Sequence, residues 1–258
     1  MTGTVLYERD EHIATITYNR PESLNAINAE LRDDLNATWL RFRDDEEAWV
    51  AIVTGAGRAF CSGADMRDGG GSAGTWPGSF WEIPTVNSFE SGLEIWKPTI
   101  AAVNGYCLGY GLTLVSTCDF VVASERAVFG FPEVRIGVPT IVGAIRLPGK
   151  IGMQYALELL LTGDRIDAVR AKEIGLALEV VPDDELMAAA RGLAQRLCQG
   201  APLAVRAVKE MAYRGQQLPW TEAVRMGETM RRVVHATEDA REGGAAAREA
   251  RAPVWKAR

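Results

Sequence analysis

Apolar and polar positions divide the chain into a strand-rich first part and a helical last part. Val5-Leu-Tyr-Glu-Arg9 and His12–Tyr18 flank a polar turn at Asp10 and Glu11, and Ile13, Thr15 and Thr17 alternate with Ala14, Ile16 and Tyr18. Period-two alternation around a short turn predicts a β-hairpin, and Pro21 stops it. Asn28 then caps a predicted helix reaching about Phe42, with Leu31, Leu35, Trp39 and Phe42 on one face and Arg32, Asp33 and Arg41 on the other. Trp49–Thr54, Thr99–Val103, Asp119–Ala123 and Leu178–Val181 are short runs rich in Val, Ile and Ala, read as buried strands. Glycine turns and helical stretches separate some of them at uneven spacing, which predicts an α/β fold with mostly non-hairpin connections.

From Asp184 onward the pattern is helical. Helices are predicted over Asp184–Leu197, Pro202–Tyr213, Pro219–Val234 and Asp239–Ala250, two of them opening on an N-terminal proline. Trp220, Val224 and Met226 give the tail an apolar side, suited to another subunit or to its own core. The glycine-rich stretch between Asp68 and Ser88 reads as a loop, either a lid or a surface insertion.

Composition narrows the partners. The 258 residues are 47% hydrophobic and 24% charged, with a formal net charge of −6. A negative chain lacks the field that gathers phosphates, so no nucleic acid and no membrane surface is expected. No apolar run is long enough to span a bilayer, and Met1–Asp10 does not read as a signal peptide; a cytoplasmic location is expected. Cys61, Cys107, Cys118 and Cys198 form no C-x-x-C pair and have only His12 and His235 beside them, so no metal is expected.

Three clusters carry candidate chemistry. Gly57–Asp65 follows the Trp49–Thr54 strand, and its small residues around Ala64 let a backbone N–H face a ligand closely. The bland reading is a tight turn into a helix. Asn104–Thr113 again follows a strand and opens a helix, whose unpaired N–H groups suit an oxyanion or phosphate. Gly109-Tyr-Gly111 also begins a dinucleotide fingerprint, with Glu133 about twenty residues on, but position 114 is Leu and the third glycine is missing. In Phe129-Gly-Phe-Pro-Glu133-Val-Arg135, a carboxylate stands among apolar residues. Desolvation would raise its pKa toward that of a general base; a salt bridge to Arg135 is the alternative.

Taken in order, these motifs resemble a known family. Asn19-Arg-Pro with Leu24-Asn-Ala, Ala59–Asp65, Lys97–Gly111, Cys118-Asp119, Phe129–Glu133, Leu161–Asp164, Ala201–Ala204 and Pro253–Lys256 are similar in sequence and spacing to the enoyl-CoA hydratase/isomerase (crotonase) family. The resemblance implies a spiral of repeated ββα units over residues 1–196. It also implies a helical trimerisation region over 197–258, and a homotrimer or hexamer. It implies an acyl-CoA substrate with no separate cofactor, an oxyanion hole from the N–H groups of Ala64 and Gly111, and Glu133 as acid/base. Substrate and CoA contacts would come from Arg20, Leu24, Asn25, Ala26, Ser62, Gly63, Asp65, Met66, Tyr110 and Thr113.

The chain departs from the family pattern at two of these positions. Thr113 stands where hydratases of the family carry a second glutamate, and Tyr110 where a glycine is common. Addition of water benefits from two carboxylates, whereas one base suffices to shift a double bond. An isomerase or a weakened hydratase is therefore expected. Other reactions through the same enolate, such as ester hydrolysis, dehydration or decarboxylation, are the alternatives, together with a catalytically quiet CoA-binding subunit and a nicotinamide enzyme.

Overall fold

The computed structural model describes residues 3–68, 88–90 and 92–258. Most of the glycine-rich stretch read above as a loop, residues 69–87, lies outside the described residues.

The elements run β1 (Val5–Asp10), β2 (Ile13–Tyr18), α1 (Ala29–Asp44), β3 (Val50–Gly55), β4 (Ala59–Cys61), β5 (Thr99–Val103), β6 (Tyr106–Leu108), α2 (Tyr110–Thr117), β7 (Phe120–Ser124) and β8 (Val128–Gly130). There follow α3 (Val142–Ile151), α4 (Met153–Thr162), β9 (Arg165–Asp167), α5 (Ala168–Glu173), β10 (Glu179–Val181), α6 (Leu186–Cys198), α7 (Pro202–Arg214), α8 (Trp220–His235) and α9 (Glu238–Glu249). Six strands form one sheet in the order β1-β2-β3-β5-β7-β10, and β4-β6-β8-β9 form a second. Among the described residues, only β1–β2 and β8–β9 pair antiparallel; the other pairs are parallel.

This topology explains the unbroken apolar runs. A parallel strand is covered on both faces, so both of its side-chain sets must be apolar. Ala51, Val53, Ala101 and Val103 point into the core shared with α1 and α2, while Val50, Ile52, Ile100 and Ala102 pack on Leu186, Ala190, Leu193 and Ala194 of α6. The first helix is as expected: Asn28 Oδ1 accepts from the Leu31 N–H at 2.9 Å, and Leu31, Leu35, Trp39 and Phe42 are buried. Each large side chain buried this way contributes about 1.5–3 kcal/mol.

The second sheet carries no separate signal in the sequence. Its four strands have three residues each, too short to show a period. They are placed by the longer strands before them: β3 leads through a turn into β4, β5 into β6 and β7 into β8. That repeated pairing of a long and a short strand makes the spiral.

The C-terminal helices differ in coverage. α6 lies on the first sheet, whereas α8 has no buried residue and α7 only Pro202; Trp220 is 83% exposed. The chain end returns to α6: Trp255 Nε1 donates to Gln199 O at 2.8 Å, and Asp239 accepts from the N–H groups of Lys256 and Ala257 at 2.7 and 2.9 Å. Among the described residues no helix is long and apolar enough to cross a membrane, and no cluster of His, Cys, Asp and Glu has metal-holding geometry.

Candidate active site

The site forms where the turns after β4, β6 and β8 converge. Ile27 and Ala64 make an isolated parallel bridge, in which the Ile27 N–H donates to Gly63 O at 2.8 Å and the Asp65 N–H donates to Ile27 O at 2.9 Å. The alternation of a parallel bridge turns the Ala64 N–H away from Ile27, and among the described residues it has no acceptor. Gly63 holds φ +104°, and a Cβ there would stand 3.3 Å from Leu108 O. Only glycine allows this approach, which brings Ala64 beside the head of α2.

α2 begins without a side-chain cap, because its N-cap is Gly109 at φ 54°, ψ −120°. The first-turn N–H groups of Tyr110 and Gly111 therefore keep the partial positive charge of a helix N-terminus. Gly111 has its own reason to be glycine. A Cβ at 111 would meet Cys61 O at 2.6 Å and Cys61 Cβ at 2.8 Å, so its bare face packs on β4.

Glu133 arrives from the next turn of the spiral. The Gly109 N–H donates to Gly130 O at 2.9 Å, fixing the end of β8 against the head of α2. Pro132 then starts a short 3-10 turn over Pro132–Ile136 that carries Glu133 and closes on Gly137 at φ 77°. A Cβ on Gly109 would lie 3.1 Å from Glu133 Oε1, so the carboxylate rests on the glycine backbone. Glu133 Oε2 is buried without a hydrogen-bond partner among the described residues, and burial raises the carboxyl pKa above its usual value. The alternative of an Arg135 salt bridge is excluded, since Arg135 pairs with Asp164 and donates to Thr162 O at 3.1 Å. An unpaired, desolvated carboxylate beside orphan N–H groups can take a proton from a carbon acid while the N–H groups hold the resulting oxyanion.

Of the residues expected to contact CoA, Met66 is exposed, whereas Asn25, Ala26, Gly63, Asp65 and Thr113 are buried. Leu24 and Asn25 both have left-handed backbones, φ 54° and 55°. The Ser62 N–H donates to Leu24 O at 3.0 Å, and Asn25 donates to Ala56 O and Ala59 O at 3.0 and 2.8 Å. Arg20 donates to Ala26 O at 2.5 Å and to Asp65 Oδ2 at 3.3 Å. Asp65 also binds Arg67, which holds its carboxyl down at about 2. Arg20 holds both of its neighbours, its backbone N–H donating to Asn25 Oδ1 at 2.9 Å and its guanidinium to Asp65. Thr113 is buried one turn into α2, its N–H donating to Gly109 O at 3.0 Å.

The buried thiols of Cys61, Cys107 and Cys118 are raised by desolvation, Cys61 and Cys118 to about 12, which keeps them protonated and unreactive. Two contributors escaped the sequence reading. The sequence places Gly109 in a helix-opening glycine motif but does not show that Glu133 rests on it. Glu90 accepts a hydrogen bond from the Tyr110 hydroxyl, and no local pattern foretells a contact between residues twenty apart.

The model of the enoyl-CoA hydratase/isomerase family matches residues 8–258. The chain belongs to the enoyl-CoA hydratase/isomerase family. A carnitinyl-CoA dehydratase of Salmonella typhi is 39% identical over 223 residues, covering 82% of this chain and 83% of the relative. A probable mitochondrial enoyl-CoA hydratase of Dictyostelium discoideum is 37% identical over 205 residues, 79% and 73%. Among solved structures, an enoyl-CoA hydratase/isomerase from Mycobacterium paratuberculosis superposes with TM-score 0.88 at 39% identity over all of both chains. An enoyl-CoA hydratase from Mycobacterium tuberculosis gives 0.90 at 33% identity, with 99% of each chain covered. The crotonase spiral expected from the motifs is therefore the fold, and the chain is an acyl-CoA enzyme of the hydratase/isomerase type.

Proposed function

We propose that this family member stabilises the enolate of an acyl-CoA thioester, with Glu133 as its acid/base. The thioester oxygen is bound by the Ala64 N–H and by the first-turn N–H groups at the head of α2, Gly111 as read from the sequence with Tyr110 beside it. The observation that carries this reading is the contact between Glu133 and Gly109. It sets a desolvated base next to the N–H groups that would receive the negative charge. One oxyanion donor contributes about 3–4 kcal/mol to the transition state.

Thr113 supports isomerisation over hydration. With a 3-enoyl-CoA, Glu133 removes a proton from C2, the electron pair delocalises onto the thioester oxygen, and the same carboxyl returns the proton to C4. The product is the 2-enoyl ester, and no second carboxylate is required. Adding water across the 2,3 bond needs a hydroxyl delivered to C3 as well as a proton to C2, and the Thr113 hydroxyl does not act as a base near neutral pH.

The CoA moiety would lie along Arg20–Ala26 and Ser62–Met66, with residues 197–258 forming the assembly region of a homotrimer or hexamer. The largely exposed helix α8 supports that assembly. The deciding experiment incubates the enzyme with 2-enoyl- and 3-enoyl-CoA esters and follows product mass together with double-bond position. A shifted double bond at unchanged mass is expected. A gain of one water as the sole product from every ester would overturn the isomerase assignment.

A further inference from the structure

Tyr110 is the residue between the two glycines that shape the site. On one side, the bare face of Gly109 touches the Glu133 carboxylate; on the other, the bare face of Gly111 is filled by Cys61. A ligand whose oxygen sits on the first turn of α2 and whose reacting carbon faces Glu133 must pass the Tyr110 backbone. The Tyr110 ring packs against the core cluster that holds Phe89, Cys61 and Tyr18, and its hydroxyl donates to Glu90. Glu90 follows Phe89, which is itself fixed by stacking on Trp39 at a centroid distance of 4.3 Å.

The latch is chemically stable. Burial, followed by the Glu90 charge and hydrogen bond, pushes the phenol pKa far above its ordinary value, so the hydroxyl remains a donor throughout the working range. A tyrosine held at both ends, by its backbone in the first turn and by its hydroxyl on Glu90, cannot swing aside as a free side chain does.

We propose that Tyr110, clamped by Glu90, is a specificity-determining residue whose ring walls off the acyl end of the site and confines the enzyme to short acyl groups. This rests on the CoA-ester reading above. A rigid wall excludes added methylenes by overlap, and each excluded methylene carries roughly a tenfold or larger discrimination.

The test measures affinity for two unreactive esters, butyryl-CoA and octanoyl-CoA, by calorimetry, with kcat/KM for four- and eight-carbon enoyl-CoA esters alongside. Wild type is expected to favour the four-carbon ester by tenfold or more. Tyr110→Ala should move the octanoyl-to-butyryl affinity ratio toward octanoyl by tenfold or more, and Tyr110→Phe and Glu90→Ala severalfold, because they free the ring without deleting it. Glu90→Gln retains an acceptor and should leave the ratio near wild type. A ratio unmoved in folded Tyr110→Ala overturns the proposal; if that variant does not fold, an unmoved ratio in both Tyr110→Phe and Glu90→Ala does so. Wild-type protein that binds neither ester would instead remove the CoA reading itself.

Discussion

Glu133 Oε1 lies 3.1 Å from the place where a Cβ on Gly109 would stand, so a methyl group there would force the carboxylate to shift from the head of α2. Gly109 also holds φ 54°, ψ −120°, a region that only glycine enters without strain. Gly109→Ala is expected to lower stability by about 1–3 kcal/mol and to push the carboxylate out of line. Denaturant unfolding and kcat/KM measured together check this; wild-type values of both would disprove the fit.

Glu133→Gln keeps the shape of the side chain and removes the proposed base. Turnover should fall by about 10²–10⁴-fold while acyl-CoA affinity, measured by calorimetry, persists. Retained turnover in this variant would remove Glu133 from the mechanism.

The raised pKa of Glu133 has a definite sign in both activity and stability. A base must be deprotonated, so kcat/KM should rise with pH through a value above the ordinary carboxylate range. A folded pKa above the unfolded one means the folded state binds the proton more tightly, so this group favours folding at low pH. That contribution is lost as pH rises through the folded value. Glu133→Gln should therefore melt no lower than wild type at pH 7–8, with any advantage vanishing in acid. A Gln variant markedly less stable at neutral pH would contradict a carboxyl whose charged form is disfavoured by burial.

Ala64→Pro deletes one N–H while leaving both hydrogen bonds of the Ile27 bridge, which involve Gly63 O and the Asp65 N–H. Loss of one donor of the proposed oxyanion hole predicts about a 10²–10³-fold drop in kcat. Gly111→Ala is expected to fail differently. Its Cβ would collide with the Cys61 carbonyl at 2.6 Å, so thermal stability should fall before activity can be read. An Ala64→Pro enzyme with normal kcat would exclude this N–H as a donor.

Thr113→Glu restores a second carboxylate one turn into α2. Water addition to a 2-enoyl-CoA should increase, and Glu133→Gln should abolish it in the same background. No gain of hydrated product in a folded Thr113→Glu enzyme would show that Thr113 is not what limits hydration.

Light scattering addresses the assembly. Trp220 at 83% exposure and an α8 without a buried residue predict a particle three or six times the 28.1 kDa chain. A monomer at micromolar concentration would leave these helices without the proposed role.

Much of this was legible in the chain itself. Period two in Ile13–Tyr18, period 3.6 from Leu31 to Phe42 and the cap at Asn28 are local signals, and each became the element it foretold. The doubly apolar runs announced strands covered on both faces, because one residue's pattern records its own two neighbours across the sheet. The ordered motifs brought out the family, and Glu133 stood out as a carboxylate among apolar residues.

Other features are properties of distance rather than of pattern. Three-residue strands such as β4 and β6 have no period to read, and exist only because longer strands deliver them to the second sheet. Arg135 stands two residues from Glu133, yet tertiary packing gave it to Asp164 and left Glu133 Oε2 without a partner among the described residues. That Gly111 must be glycine to pack on Cys61 is visible only in the fold. Glu90 had no motif at all until the fold brought it to Tyr110. A sequence fixes which groups are available and how each segment prefers to bend. Which partner neutralises, crowds or desolvates a group depends on contacts between segments far apart in the chain, and those are settled only when the core closes.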